Sequence, residues 1–269
     1  MDIFTAQLIT AFLIGGVLVS SLSLLAEKAP SKTAGLILSL PSTSVVSFFF
    51  IGLVTSKGQI YEAALGAFPA LGASLIFAVV YIYVANLFKQ KNLSLTVSLI
   101  GGFVVWFFLA ILIVSFEPLN LPYSLGIYTF LAVVSHYFLF IRTKDKTDGL
   151  VANVPLDANS LIVRSAFAGA VVATVVLMSK VAGPFWGGVF SVFPAAYASN
   201  LIAFHNKLGA DSLFRFSKVL PIGSPSFVLY ASAAAFTFPL IGLIWGTIVS
   251  YIVSAMFVYI VWKISFQNR

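Results

Sequence analysis

The polar residues with the most chemical potential stand in two short proline-centred stretches. Leu40-Pro41-Ser42-Thr43-Ser44 carries three hydroxyls directly after a proline, with Ser39 just before it. Phe193-Pro194-Ala195-Ala196-Tyr197-Ala198-Ser199-Asn200 sets Tyr197, Ser199 and Asn200 after a second proline, with Ser191 before it. Proline lacks a backbone N–H and clashes with the carbonyl four residues earlier, so it interrupts an apolar helix. In hydrocarbon the freed backbone groups must find partners in protein or water. A helix restarting at either proline would aim its first N–H groups at one spot, which suits an anion or a polar neutral solute. The competing reading is two kinked helices whose hydroxyls bond back to their own backbone.

Few ionisable residues fall inside apolar runs. Arg164 stands about one turn into the sixth run, where it either snorkels to the cytoplasmic headgroups or lines a pathway mouth and favours anions. Glu62 and Lys180 belong near the outer ends of their runs, as a gate ion pair or as separate interfacial residues. His136 is the deepest titratable residue in the pattern, a proton carrier or a hydrogen-bonded packing residue, and His205 reads as a boundary residue. No Asp or Glu stands near the middle of a run, where proton- or metal-coupled carriers usually keep a carboxylate. Facilitated diffusion or a channel therefore fits at least as well as coupled transport, and a sodium site of carbonyls and hydroxyls stays open.

Enzymatic patterns are sparse. Gly72-Ala73-Ser74-Leu75 resembles the Gly-x-Ser motif of intramembrane rhomboid proteases, without the final glycine of that pattern. The resemblance implies a hydrolase in which Ser74 lies within hydrogen-bond reach of His136. No HExxH, Walker A or dinucleotide fingerprint occurs, and Cys is 0, so thiolate metal sites and disulfides are excluded. The expectation is a protein without catalytic residues, metal ligands or cofactor.

Composition dictates what must hold these residues. Of 269 residues, 60 % are hydrophobic and 9 % charged, and the mean hydropathy is +1.06. A soluble domain carries roughly 25 % charged residues. The class is therefore an all-α polytopic membrane protein. Nine candidate spans follow: Phe4–Ala26, Thr33–Val54, Tyr61–Phe88, Leu93–Phe116, Pro122–Ile141, Ser160–Val181, Phe185–Phe204, Leu220–Phe238 and Leu240–Ile264. Pro221, Pro225 and Pro239 crowd the eighth.

The loop charges support that count. One face carries Lys28, Lys32, Lys89, Lys91, Arg142, Lys144, Lys146, Lys207, Arg215, Lys218, Lys263 and Arg269. The other carries Lys57 and Lys180, with Asp2, Glu62 and Glu117. The positive-inside rule then sets the N-terminus outside and the C-terminus in the cytoplasm, with the plasma membrane as the expected location. It also accounts for the net charge of +7 without nucleic acid.

A constant offset of 153 sets Gly35 over Gly188, Pro41 over Pro194 and Gly16 over Gly169. The expected organisation is two inverted four-helix repeats joined by a linking helix: residues 1–120, then 121–158 as linking helix and cytoplasmic loop, then 159–269. Inverted repeats recur in secondary transporters, with substrate near the midplane. The function expected is a permease or channel for a small polar or anionic solute, held between the second and seventh spans by Ser39, Pro41, Ser42, Thr43, Ser44, Ser191, Pro194, Tyr197, Ser199 and Asn200. The alternative is a non-transporting scaffold or accessory subunit. The lipid bilayer is a partner in either case, and Gly242 and Gly246, spaced as GxxxG, admit a homodimer as well as packing within the chain.

Overall fold

The computed structural model describes residues 2–28, 40–141, 158–214 and 218–267. Eleven α-helices cover most of these. They are α1 Ile3–Lys28, α2 Ser42–Val54, α3 Ile60–Ala85, α4 Lys91–Ser115, α5 Leu121–His136, α6 Ala158–Val181, α7 Pro184–Ser191, α8 Ala195–Leu208, α9 Val219–Gly223, α10 Pro225–Ile241 and α11 Leu243–Gln267. Eight stretches among the described residues are long and apolar enough to cross a membrane, and α2 is a shorter apolar helix. The fold is all-α and polytopic.

Of the expected second span, Thr33–Val54, the described part is α2, which begins at Ser42; residues 29–39, Ser39 among them, lie outside the described residues. The seventh span is two helices, α7 and α8, parted at Pro194. The three prolines of the eighth are absorbed at places where they cost little. Pro221 lies in the short α9, Pro225 opens α10 where its missing N–H is no loss, and Pro239 stands in the last turn. Gly242 takes a φ of 82°, which lets α10 turn tightly into α11.

The helix faces are arranged for a non-aqueous solvent. On α4 the buried residues Ser94, Ser98, Gly102, Trp106 and Ala110 recur every fourth position, while Ile100, Val104, Phe108 and Ile111 are exposed. On α11, Gly246, Ser250, Ser254 and Val258 are buried at the same spacing, and Ile244, Ile248, Ile252, Met256 and Ile260 are exposed. Positions four apart share one helix face. Small and hydroxyl side chains thus face protein, and large aliphatic ones face outward. In water that pattern would forfeit hydrophobic stabilisation, whereas in lipid the small residues allow close helix contact.

The chain folds as two compact units, each discontinuous in sequence. The first comprises Met1–Ala67, Pro155–Ser191 and Gly223–Arg269. In it α1 packs on α6, α6 on α7, α10 on α11, and α2 against α1, α6, α7, α10 and α11. Ala11, Val46, Phe50, Val172 and Val176 form a buried cluster there. Phe48 meets Phe227 and Tyr230 edge-on, each with ring centroids 5.9 Å apart. The second unit comprises Phe68–Val154 and Val192–Ile222. Its core holds Phe77, Tyr81, Trp106 and Leu139, all fully buried.

The crossing of α1 and α6 depends on glycine. A Cβ on Gly16 would lie 3.0 Å from the Ser165 carbonyl oxygen, and one on Gly169 would press on the Phe12 carbonyl. The Ser20 and Ser165 hydroxyls bond each other across the same contact. The paired residues fall in number on one helix as they rise on the other (12 with 169, 16 with 165), so the two helices run antiparallel.

Candidate functional site

The helix starts after the two prolines have similar local geometry. Pro41 precedes α2 with φ −77° and ψ 61°, and the Ser42 N–H bonds the Leu40 carbonyl at 2.8 Å. Pro194 precedes α8 with φ −74° and ψ 35°, and the Ala195 N–H bonds the Phe193 carbonyl at 2.7 Å. The first helical bonds are Val45 N–H to the Pro41 carbonyl and Ala198 N–H to the Pro194 carbonyl. Thr43 and Ser44 in one helix, and Ala196 and Tyr197 in the other, are left with N–H groups that have no intrahelical acceptor.

Carbonyls freed at the second break are taken up by side chains. Because Ala195 turns its N–H to Phe193, the Ser191 carbonyl loses its helical donor. In the first unit the Ser44 hydroxyl donates to it at 3.2 Å. The Ser191 hydroxyl donates to the Gly188 carbonyl at 2.6 Å. In the second unit the Ser74 hydroxyl donates to the Val192 carbonyl at 2.5 Å, and also to the Ala70 carbonyl. Ser74 in turn accepts from the Trp106 indole N–H at 2.9 Å. Phe193 stacks on Phe103 at 5.3 Å and meets Trp106 edge-on at 4.9 Å.

The residues expected at the site therefore divide. Ser44 and Ser191 come together, and both hydroxyls are engaged by backbone. Ser199 bonds back to the Ala196 carbonyl at 3.1 Å. Ser42, Thr43, Tyr197 and Asn200 are half-buried, and their side chains form no hydrogen bond among the described residues. Ser47 is fully buried, and its hydroxyl has no partner. It stands one turn beyond Thr43 on α2, and the sequence already sets it among the hydroxyls that follow Pro41.

The ionisable candidates are placed differently from one another. Arg164 lies half-buried on α6. Glu62 is half-buried and Lys180 exposed, and they form no ion pair with each other. Ser74 makes no bond to His136, whose ring instead stacks on Phe140 at 4.9 Å. Of the two histidines, His205, in the last turn of α8, is buried, and His136 is half-buried. Gly246 packs on Phe238, whereas nothing lies within 4 Å of a Cβ built on Gly242. Groups of His, Asp and Glu that could hold a metal ion are absent among the described residues.

A polytopic helical protein with two proline-started helices is the class these observations define. Residues 8–118 are similar to a family described as a protein of unknown function, DUF3147. That stretch begins in α1 and ends between α4 and α5. No curated protein and no solved structure matches the chain.

Proposed function

We propose that the protein is a permease or channel of the plasma membrane that moves a small polar or anionic solute, which engages the helix starts after Pro41 and Pro194. The observation that carries this reading is the shared geometry of those starts, each with two N–H groups open. Unpaired polar groups follow at matching places. Ser47 on α2 and Asn200 on α8 are 153 residues apart, the offset that also separates Pro41 from Pro194. Open N–H groups backed by a helix favour negative charge or a carbonyl oxygen.

The same offset supports two inverted four-helix repeats joined by α5. Gly16 meets Ser165 and Gly169 meets Phe12 in the antiparallel α1–α6 crossing, the reciprocal pairing that a two-fold relation at this offset requires. The buried stripe of α4 (94, 98, 102, 106) recurs on α11 (246, 250, 254, 258) at an offset of 152. The family match covers α1 to α4, one half of this arrangement. With the N-terminus outside, α2 ends at the outer face and Pro41 lies about 20 Å below it. Pro194 lies about 15 Å below the outer end of α7 by the same rise. Both depths fall near the middle of a hydrocarbon core of about 30 Å. Discontinuous helices that start at mid-depth are how many transporters bind solute.

A second reading, a non-transporting accessory subunit, draws on Ser44 and Ser74, which seal the carbonyls of the second break. Flux in reconstituted vesicles separates the two. Small anions and neutral solutes should enter vesicles carrying the wild-type chain. A Thr43→Val, Asn200→Leu double variant should reduce that flux at least tenfold. Unchanged flux in the double variant would remove the proposed site, and no flux in the wild type would favour the accessory subunit.

A further inference from the structure

We propose that His205 is a proton-binding site that links cytoplasmic pH to the packing of α8, the helix that carries Tyr197 and Asn200. The proton site stands on its own geometry; its consequence for solute movement rests on the transport reading above.

His205 is 2 % exposed, Tyr81 0 % and Ser94 1 %. The Tyr81 hydroxyl lies 3.2 Å from His205 Nδ1, and Ser94 Oγ lies 3.4 Å from Nε2. Ser94 spends its own proton on the Ala85 carbonyl at 2.7 Å, so it can only accept from the ring. Nε2 therefore carries the hydrogen, and Nδ1 accepts from the tyrosine. This arrangement satisfies a neutral imidazole at both nitrogens. It ties α8 to the end of α3 through Tyr81 and to the start of α4 through Ser94.

A proton arriving from the cytoplasmic side adds to Nδ1, with no covalent bond in the chain broken. Nδ1 then becomes a donor, and Tyr81 must turn from donor to acceptor. The Tyr81 proton needs a new acceptor, so the present link from α3 to α8 does not survive protonation unchanged. Among the described residues, the charged groups near the ring are cationic. On α4, Lys91 donates to the Asn206 carbonyl at 2.9 Å, one residue along from His205. On α8 the charged neighbour is Lys207, and beyond α3 it is Lys89, both exposed. The nearest acid along the chain is the exposed Asp211. Among the described residues an imidazolium here meets no carboxylate, which makes its formation disruptive rather than stabilising. Asn200 lies five residues before His205, about 7.5 Å along the same helix.

The chain has only two histidines, which makes the test direct. The full-length protein, labelled with 15N-histidine and reconstituted in lipid, is titrated by NMR, and a His136→Gln variant assigns the signals. At neutral pH His205 should show the Nε2–H tautomer. Acidification below the ordinary histidine range should convert it to imidazolium. Tyr81→Phe should shift the midpoint while leaving His136 unmoved. A His205 signal that stays neutral down to the pH at which the fold itself is lost would overturn the proposal. In flux measurements, His205→Gln should lose the pH dependence that His136→Gln retains; pH dependence that persists in His205→Gln would overturn the link to transport. Titration of His205 in a chain that moves no solute would leave the proton site standing and remove the transport reading.

Discussion

Ser74 shows how much a single hydroxyl carries when water is absent. It accepts from the Trp106 indole and donates to the Val192 carbonyl beside the Pro194 break. In hydrocarbon neither partner has water to fall back on. Removing one member of such a buried set leaves the others unsatisfied, at about 1–3 kcal/mol. Ser74→Ala should therefore lower stability by about that amount, measured by denaturant unfolding in detergent. Ser199→Ala, on a hydroxyl that only bonds back within its own turn, should change stability by less than about 0.5 kcal/mol. Equal effects in the two variants would refute the role given to Ser74. The sequence singled out Ser74 for a protease-like motif, and its actual partners stand 32 and 118 positions away. His205 reads in sequence only as a boundary residue for the same reason. It lies one residue past the expected end of its span, and Tyr81 and Ser94 are 124 and 111 positions distant. Local pattern reports which face of a helix is apolar, not which distant hydroxyl meets it.

At the scale of helices, close approach decides where glycine is needed. Gly188 on α7 stands against the Ala63 backbone, where a Cβ has no room. Overpacking at such a contact costs about 1–3 kcal/mol, more where backbone must move. Gly188→Ala should destabilise the fold by at least that much. Gly126 on α5 has nothing within 4 Å of a built Cβ. Gly126→Ala should be neutral or stabilise by up to about 1 kcal/mol, because alanine favours the helix. The antiparallel α1–α6 contact can be tested in the same chain because it has no cysteine of its own. A Ser20→Cys, Ser165→Cys pair should form a disulfide on mild oxidation, seen as a mobility shift reversed by reductant. A Ser21→Cys, Ser165→Cys pair should not, since Ser21 faces outward on α1. Of these elements, the proline breaks were the most legible in sequence, because the missing N–H acts locally. The bounds of α10 and α11 shifted from expectation because Gly242, with its positive φ, ends one helix where hydropathy runs on.

For the whole molecule, the inverted arrangement makes a demand that composition alone cannot meet. If the halves are inverted, residues at matching places must lie on opposite faces of the membrane. Lys89, before α4, and Ile241, before α11, are 152 positions apart and both exposed. On the proposed topology Lys89 lies on the basic, cytoplasmic face. An odd number of crossings separates them if the polytopic count of α4 through α10 holds, with α7 and α8 together making one crossing. Lys89→Cys should then react with a membrane-impermeant thiol reagent only after cells are permeabilised. Ile241→Cys should react in intact cells. Each single-cysteine chain serves as the control for the other. Labelling of both from one side would mean an even count between them, which removes the inversion and with it the argument that the two proline-started helices are equivalent. Labelling from opposite sides is a stringent result. It ties the offset between Pro41 and Pro194 to the proposed inverted repeat and to the reciprocal contacts where α1 crosses α6, rather than to the resemblance of one apolar helix to another.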